Sequence, residues 1–118
     1  MAGKRILIVE DEFLVGLNIQ TILSGAGFDV SGPAVNVTAA LQLISDDGFN
    51  AAVLDVNLGN GETSGRIAVT LSAQGIPFVL VTGYGRENLP PELKEAPLLE
   101  KPVDENKLIE TVKKLLSR

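Results

Sequence analysis

Four short apolar runs punctuate the chain: Ile6-Leu7-Ile8-Val9, Ala51-Ala52-Val53-Leu54, Phe78-Val79-Leu80-Val81 and a weaker stretch over Val30–Val35. None alternates apolar with polar, so each predicts a strand covered on both faces, as in a parallel sheet. A fifth and very short run, Leu98-Leu99, precedes Glu100. Between the runs the apolar positions fall at helical spacing. Over residues 13–26 they are Val15, Ile19, Ile22, Leu23 and Ala26, with Gly27 placed to stop the helix. Over residues 104–116 the stripe is Leu108, Ile109, Val112, Leu115 and Leu116. Asp104 is a natural N-cap for that helix, and Val103 with Leu108 fits a hydrophobic staple. Two weaker helices are predicted over 37–46 and 64–74, the second ending at Gly75.

The stretch from Gly85 to Pro97 is a poor helix. Pro90-Pro91 can only open one and Pro97 closes it, which leaves room for about one and a half turns. The order is nonetheless strand–helix repeated five times. Right-handed crossovers then give a doubly wound α/β fold, a (βα)5 three-layer sandwich. In such folds ligands bind at the carboxyl ends of the strands, near the point where strand order reverses.

Composition narrows the chemistry. A chain of 118 residues with 45% hydrophobic content is one domain, spanning 1–118, with enough apolar surface for a core. It has no Cys and no His, which excludes zinc fingers, cysteine or Ser–His nucleophiles, haem and iron–sulfur ligation. The net charge of −5 argues against binding nucleic acid through its phosphates. No apolar run approaches the roughly 18 residues of a membrane span. The run Ile6–Val9 is cut short by Glu10-Asp11-Glu12, so it is no secretory leader. A cytoplasmic, monomeric domain is expected.

The strand ends carry the chemistry. The first strand runs into Glu10-Asp11, the third ends at Asp55, the fourth at Thr82 and the fifth at Lys101-Pro102. Converging carboxylates repel one another unless a cation sits among them. With oxygen as the only ligand atom available, a hard divalent ion such as Mg2+ suits them best. Lys101 could neutralise a phosphate there and Thr82 could donate a hydrogen bond to it. Asp55 would be the oxygen nucleophile, forming an acyl phosphate. Each residue alone has an ordinary reading: acids after a strand start turns or cap helices, Thr82-Gly83 is a turn, and a lysine is usually solvated. The force lies in four such signals on four strand ends of one sheet.

Those segments, Ile-Leu-Ile-Val-Glu10-Asp11-Glu12, Val-Leu-Asp55-Val-Asn57-Leu-Gly, Val-Leu-Val-Thr82-Gly83 and Leu-Leu-Glu-Lys101-Pro102, resemble the receiver domain of two-component response regulators. The likeness covers essentially the whole chain. It implies sheet order 2-1-3-4-5, with Asp55 accepting a phosphoryl group from the phosphohistidine of a histidine kinase or a histidine phosphotransfer protein. It also implies that Glu10 and Asp11 hold Mg2+ together with Asp55 and the backbone carbonyl of Asn57. Thr82 would be the switch hydroxyl and, with Gly83 and Lys101, would bind the phosphate; the Lys101–Pro102 bond would be cis. Such a domain is no enzyme with a separate substrate; it promotes its own phosphorylation and dephosphorylation.

Two departures matter. The family's aromatic switch position, three before the lysine, is Leu98 here. Together with Thr82-Gly83-Tyr84, this is similar to the subgroup named for a Phe-Ala-Thr-Gly-hydrophobe-Tyr motif, typical of alphaproteobacteria, although Leu80 and Val81 replace Phe-Ala. The partner would then resemble kinases of the HWE or a related class, and Tyr84 or the whole Gly83–Pro97 segment would carry the signal. Asn57 and Tyr84, each two places after a site residue, would tune dephosphorylation.

Other readings of the same topology fail. A flavodoxin-type phosphate loop has no carboxylates, whereas this one has three. No Gly-x-x-x-x-Gly-Lys-Ser/Thr occurs, and an aspartyl phosphatase would want an acid where Asn57 stands. A phosphorylation-independent interaction module with a receiver fold is the alternative that stays open. Phe13, Leu14 and Leu17 lie about 100–180° from the core stripe of the first helix, so exposure is expected there, as a docking face for the kinase's phosphohistidine helix. A chain this short leaves no residues for a DNA-binding output domain, so output through protein contacts is expected: a relay, a phosphate sink or a modulator of the kinase.

Overall fold

The continuous apolar runs form strands at the centre of one parallel sheet. The computed structural model describes residues 3–83 and 89–117. Its elements are β1 (Arg5–Val9), α1 (Phe13–Gly25), β2 (Asp29–Ala34), α2 (Val37–Asp46), β3 (Ala51–Asp55), β4 (Asn57–Gly59) and β5 (Glu62–Thr63). There follow α3 (Gly65–Ala73), β6 (Phe78–Thr82), β7 (Leu98–Glu100) and α4 (Glu105–Leu116). The main sheet runs β2-β1-β3-β6-β7, every neighbouring pair parallel. Among its five strands this is the expected order, with the reversal between β1 and β3.

Alternate residues of each central strand feed two separate cores. Leu7, Val9, Ala52, Leu54 and Leu80 pack beneath α2 and α3 with Ala40, Ile44, Ile67 and Leu71. Ile6, Ile8, Val53, Val79 and Val81 face the other way, onto Ile19 and Leu23 of α1 and Leu108, Val112 and Leu115 of α4. Burying both faces is what makes the runs uninterrupted. β2 is the exception, an edge strand in which Asp29 and Gly32 are exposed and Pro33 donates no hydrogen bond. A Cβ at Gly16 would lie 2.6 Å from Pro33 Cβ, so only glycine lets α1 approach β2 this closely.

The helix ends follow the expected chemistry in part. The Asp104 carboxylate accepts from the Lys107 amide at 2.9 Å and caps α4; the Asn36 side chain does the same for Ala39 at the start of α2. α1 has no such cap: Glu12 stands at its N-cap without a side-chain bond.

Two features differ from expectation. Within the described part of the Gly85–Pro97 stretch the chain makes a single 3-10 turn, Pro91–Leu93, in place of an α-helix. Successive prolines remove the donors a longer helix would need, and fully buried Leu93 pins the turn to the α3 side of the core. The second difference is an added hairpin, β4–β5, directly after Asp55. Its two-residue turn is Asn60-Gly61, with φ of 53° and 77°. Consecutive positive φ values are what an Asn-Gly hairpin turn requires. No helix among the described residues is long and apolar enough to cross a membrane.

Candidate functional site

The strand reversal sets the site. Because β1 and β3 are neighbours in register, with Val9 beside Leu54, the residues that follow them emerge together. Glu10, Asp11 and Asp55 each bring a carboxylate oxygen to within 4.8 Å of the others. β6 lies on the far side of β3 and ends at Thr82; β7 follows and delivers Lys101. The Lys101 amide donates to the Thr82 carbonyl at 2.8 Å, so these two residues are fixed to each other through the backbone. The Lys101–Pro102 peptide bond is cis.

Lys101 Nζ is the hub of the cluster. It stands 2.8 Å from Glu10 Oε1, 3.4 Å from Asp55 Oδ1 and 3.8 Å from Glu12 Oε1. The Glu10 side chain is 1% exposed, and beyond its ion pair with Lys101 neither buried carboxylate oxygen has a further hydrogen-bond partner among the described residues. One lysine thus serves three acids, two of them buried. The Asp55 carboxyl responds: burial first, then the adjacent Glu10 carboxylate, push it up to about 8, while Lys101 pulls the other way. Burial alone would lower the Lys101 ammonium, but Glu10 and Asp55 outweigh it and hold it above its ordinary value.

The donor set passes the test for a hard cation. Every available ligand atom is oxygen, the oxygens are close enough to share one ion, and Glu10 carries orphaned lone pairs in the cluster. Thr82, 2% exposed, and exposed Gly83 border it on the β6 side. Asn57 begins β4 two residues beyond Asp55. The Leu98 side chain is half-buried against the α2–α3 core. Tyr84 lies outside the described residues.

The profile of the response regulator receiver domain matches residues 6–113. The chain belongs to this family. It is a receiver of two-component signalling, and its acidic rim is where receivers carry their Mg2+ site. The phyllosphere-induced regulator PhyR of Methylorubrum extorquens is 33% identical over 104 residues, 85% of this chain. The receiver spans 39% of that relative's length. Among solved structures, SdrG from Sphingomonas melonis superposes with a TM-score of 0.83 at 35% identity, covering 96% of each chain. The response regulator TrrA of Thermotoga maritima, solved with Mg2+ and BeF, superposes at 0.81 over 96% of this chain and 99% of its own. At 23% identity that likeness is one of fold.

On α1 of this receiver, Phe13, Leu14 and Leu17 are exposed by 59%, 77% and 39%. An open groove of about 470 Å3 runs beside them, lined by Leu14, Val15, Asn18, Ile19, Lys101, Pro102 and Val103. Lys101 joins this groove to the acidic cluster. Of the three docking residues expected from sequence only Leu14 lines this groove; its other α1 residues, Val15, Asn18 and Ile19, and Pro102 and Val103 opposite, were not anticipated as part of it. Sequence reasoning also missed Glu12 as a counter-ion and the hairpin after Asp55, for which Asn60-Gly61 was the available signal.

Proposed function

We propose that this receiver is a phosphoacceptor of a two-component phosphorelay. A carboxylate oxygen of Asp55 attacks phosphorus; the new P–O bond forms as the P–N bond to the partner's imidazole breaks, and the nitrogen keeps the electron pair. The observation that carries the reading is the Asp55 side chain, 9% exposed, with Lys101 at 3.4 Å and the carboxylates of Glu10 and Asp11 beside it. Glu10, Asp11, Asp55 and the Asn57 carbonyl would hold Mg2+. When bound, the ion keeps Asp55 ionised and neutralises charge on the phosphoryl oxygens. Lys101 pairs with one phosphoryl oxygen, and the Thr82 hydroxyl and the Gly83 amide donate to others. Asn57 and Tyr84 tune the access of water, hence hydrolysis.

The partner is a histidine kinase, of the HWE or a related class as Thr82-Gly83-Tyr84 and Leu98 suggest, or a histidine phosphotransfer protein. Likeness to the regulator PhyR supports a regulatory role. The receiver acts as a cytoplasmic monomer, without nucleic acid or membrane, as relay, phosphate sink or kinase modulator. It promotes its own phosphorylation and dephosphorylation and acts on no separate substrate. Phosphotransfer from candidate kinases with Mg2+ tests the core reading, with Asp55→Asn as control. Label is expected on the wild-type chain alone; label persisting in Asp55→Asn would move the acceptor elsewhere.

The exposed Phe13, Leu14 and Leu17 and the adjoining groove dock the partner's phosphohistidine helix. Replacing Leu14 and Leu17 together by Ser should slow transfer from the kinase about tenfold, the equivalent of about 1.4 kcal/mol, while leaving small phosphodonors unaffected. Equal loss with both donors would refute the docking assignment.

A further inference from the structure

The hairpin after Asp55 is too small to hold itself. β4 and β5 together contain few residues, pair Asn57 with Thr63 and Gly59 with Glu62, and carry a register irregularity between the pairs. An isolated two-stranded hairpin is marginal in water, so this one must be anchored from outside. On one side it rests against the cluster: a Cβ at Gly59, whose φ is +80°, would lie 3.4 Å from Asp11 Oδ2. On the other side Leu58 is buried in the α2–α3 core, the Ser64 amide donates to the Val56 carbonyl at 2.9 Å, and at the turn end Glu62 Oε1 accepts a hydrogen bond from the Val37 amide at 3.4 Å.

Val37 is the first residue of α2, and its N–H has no acceptor within the helix. Asn36 caps Ala39, and the first turn of α2 contains no acid of its own. Glu62 fills that gap from 25 residues away, bringing an acceptor and a negative charge to the positive end of the helix. The consequence reaches the metal site, because Asn57 is the other end of the same hairpin.

We propose that Glu62 is a positioning residue for the metal site: it ties the hairpin to α2 and so holds the Asn57 carbonyl toward the carboxylates. This rests on the Mg2+ reading given above. Calorimetric titration of the full chain with Mg2+ alone tests it in wild type, Glu62→Ala and Glu62→Gln. Loss of outer supports typically weakens metal binding by one to two orders, so Glu62→Ala should bind Mg2+ about tenfold more weakly, and Glu62→Gln, which keeps the acceptor, within about twofold of wild type. Glu62→Ala binding like wild type, with only its melting temperature lowered, would make Glu62 a mere helix cap and overturn the proposal. Glu62→Gln as weak as Glu62→Ala would overturn it also. A wild-type chain that takes up no magnesium would instead bring down the functional reading and the Glu62 proposal together.

Discussion

The two ends of β1 carry opposite electrostatic arrangements. At its start one cation has more partners than it needs. The Arg5 guanidinium lies 3.5 Å from Asp29 and 3.7 Å from Asp47, donates toward Ser31 at 3.4 Å, and sits 5.4 Å from the Phe49 ring centre. Its backbone amide donates to Asn50 at 2.8 Å. These groups are partly exposed, so water shares the work and none is left wanting. At the other end a single ammonium serves Glu10, Glu12 and Asp55, with two of those acids buried. The first arrangement ties the edge strand β2 and the residues leading into β3 to β1. The second withholds stability from the fold and leaves the site short of positive charge, which under the proposed function a bound cation supplies.

The contrast is broken most severely at Lys101. Changing it to Met leaves buried Glu10 with no cation, and urea unfolding of the metal-free chain at neutral pH should show a loss of about 3 kcal/mol, the low end for removing one member of a buried pair, because Asp55, raised to about 8, already holds a proton there. A variant as stable as wild type would mean the cluster does not depend on Lys101.

The acid itself sharpens the contrast through pH. Asp55 is raised from 3.8 to about 8 in the metal-free fold, so the folded state holds a proton the unfolded chain gives up. Its contribution to stability is therefore complete below about pH 4 and is lost as pH rises toward 8. Lys101, raised above its ordinary 10.5, stays charged throughout that window and adds no slope. Melting temperature should consequently gain more from Mg2+ at the alkaline end of the window than at the acid end. At roughly ten times its dissociation constant the ion should add about 1.4 kcal/mol. A gain independent of pH would contradict the assignment of the raised pKa to Asp55.

The smallest effect is expected at the other end of the strand. Arg5→Ala removes half-exposed ion pairs and a stacking contact, worth about 1 kcal/mol together, and the loss should shrink as salt is added. Mg2+ binding should be unchanged. A loss matching that of Lys101→Met would erase the distinction between the two ends.

How much of this could be read along the chain depended on whether the signal was local. β1, β3 and β6 were legible because strands covered on both faces must be continuously apolar, and α4 because Asp104 and its apolar stripe announce it. β2 was legible only in outline, since an edge strand has no such requirement. Glu10, Asp11, Asp55, Thr82 and Lys101 were found because a parallel sheet sends every strand's carboxyl end to one rim. The hairpin escaped although Asn60-Gly61 marks it, because its strands are too short to show alternation. The cis bond at Gly32–Pro33 had no sequence signal at all.

Composition and order thus determined a doubly wound receiver whose ligand atoms are all oxygen, since apolar runs dictate sheet type and an absent residue cannot ligate. Tertiary structure alone decided who pairs with whom: that Lys101 lies closer to Glu10 than to Asp55, that Pro102 and Val103 complete a groove with α1, and that Glu62 reaches α2. Those contacts join residues far apart in the chain, and their distances depend on how strands stagger and helices pack, which no local pattern encodes.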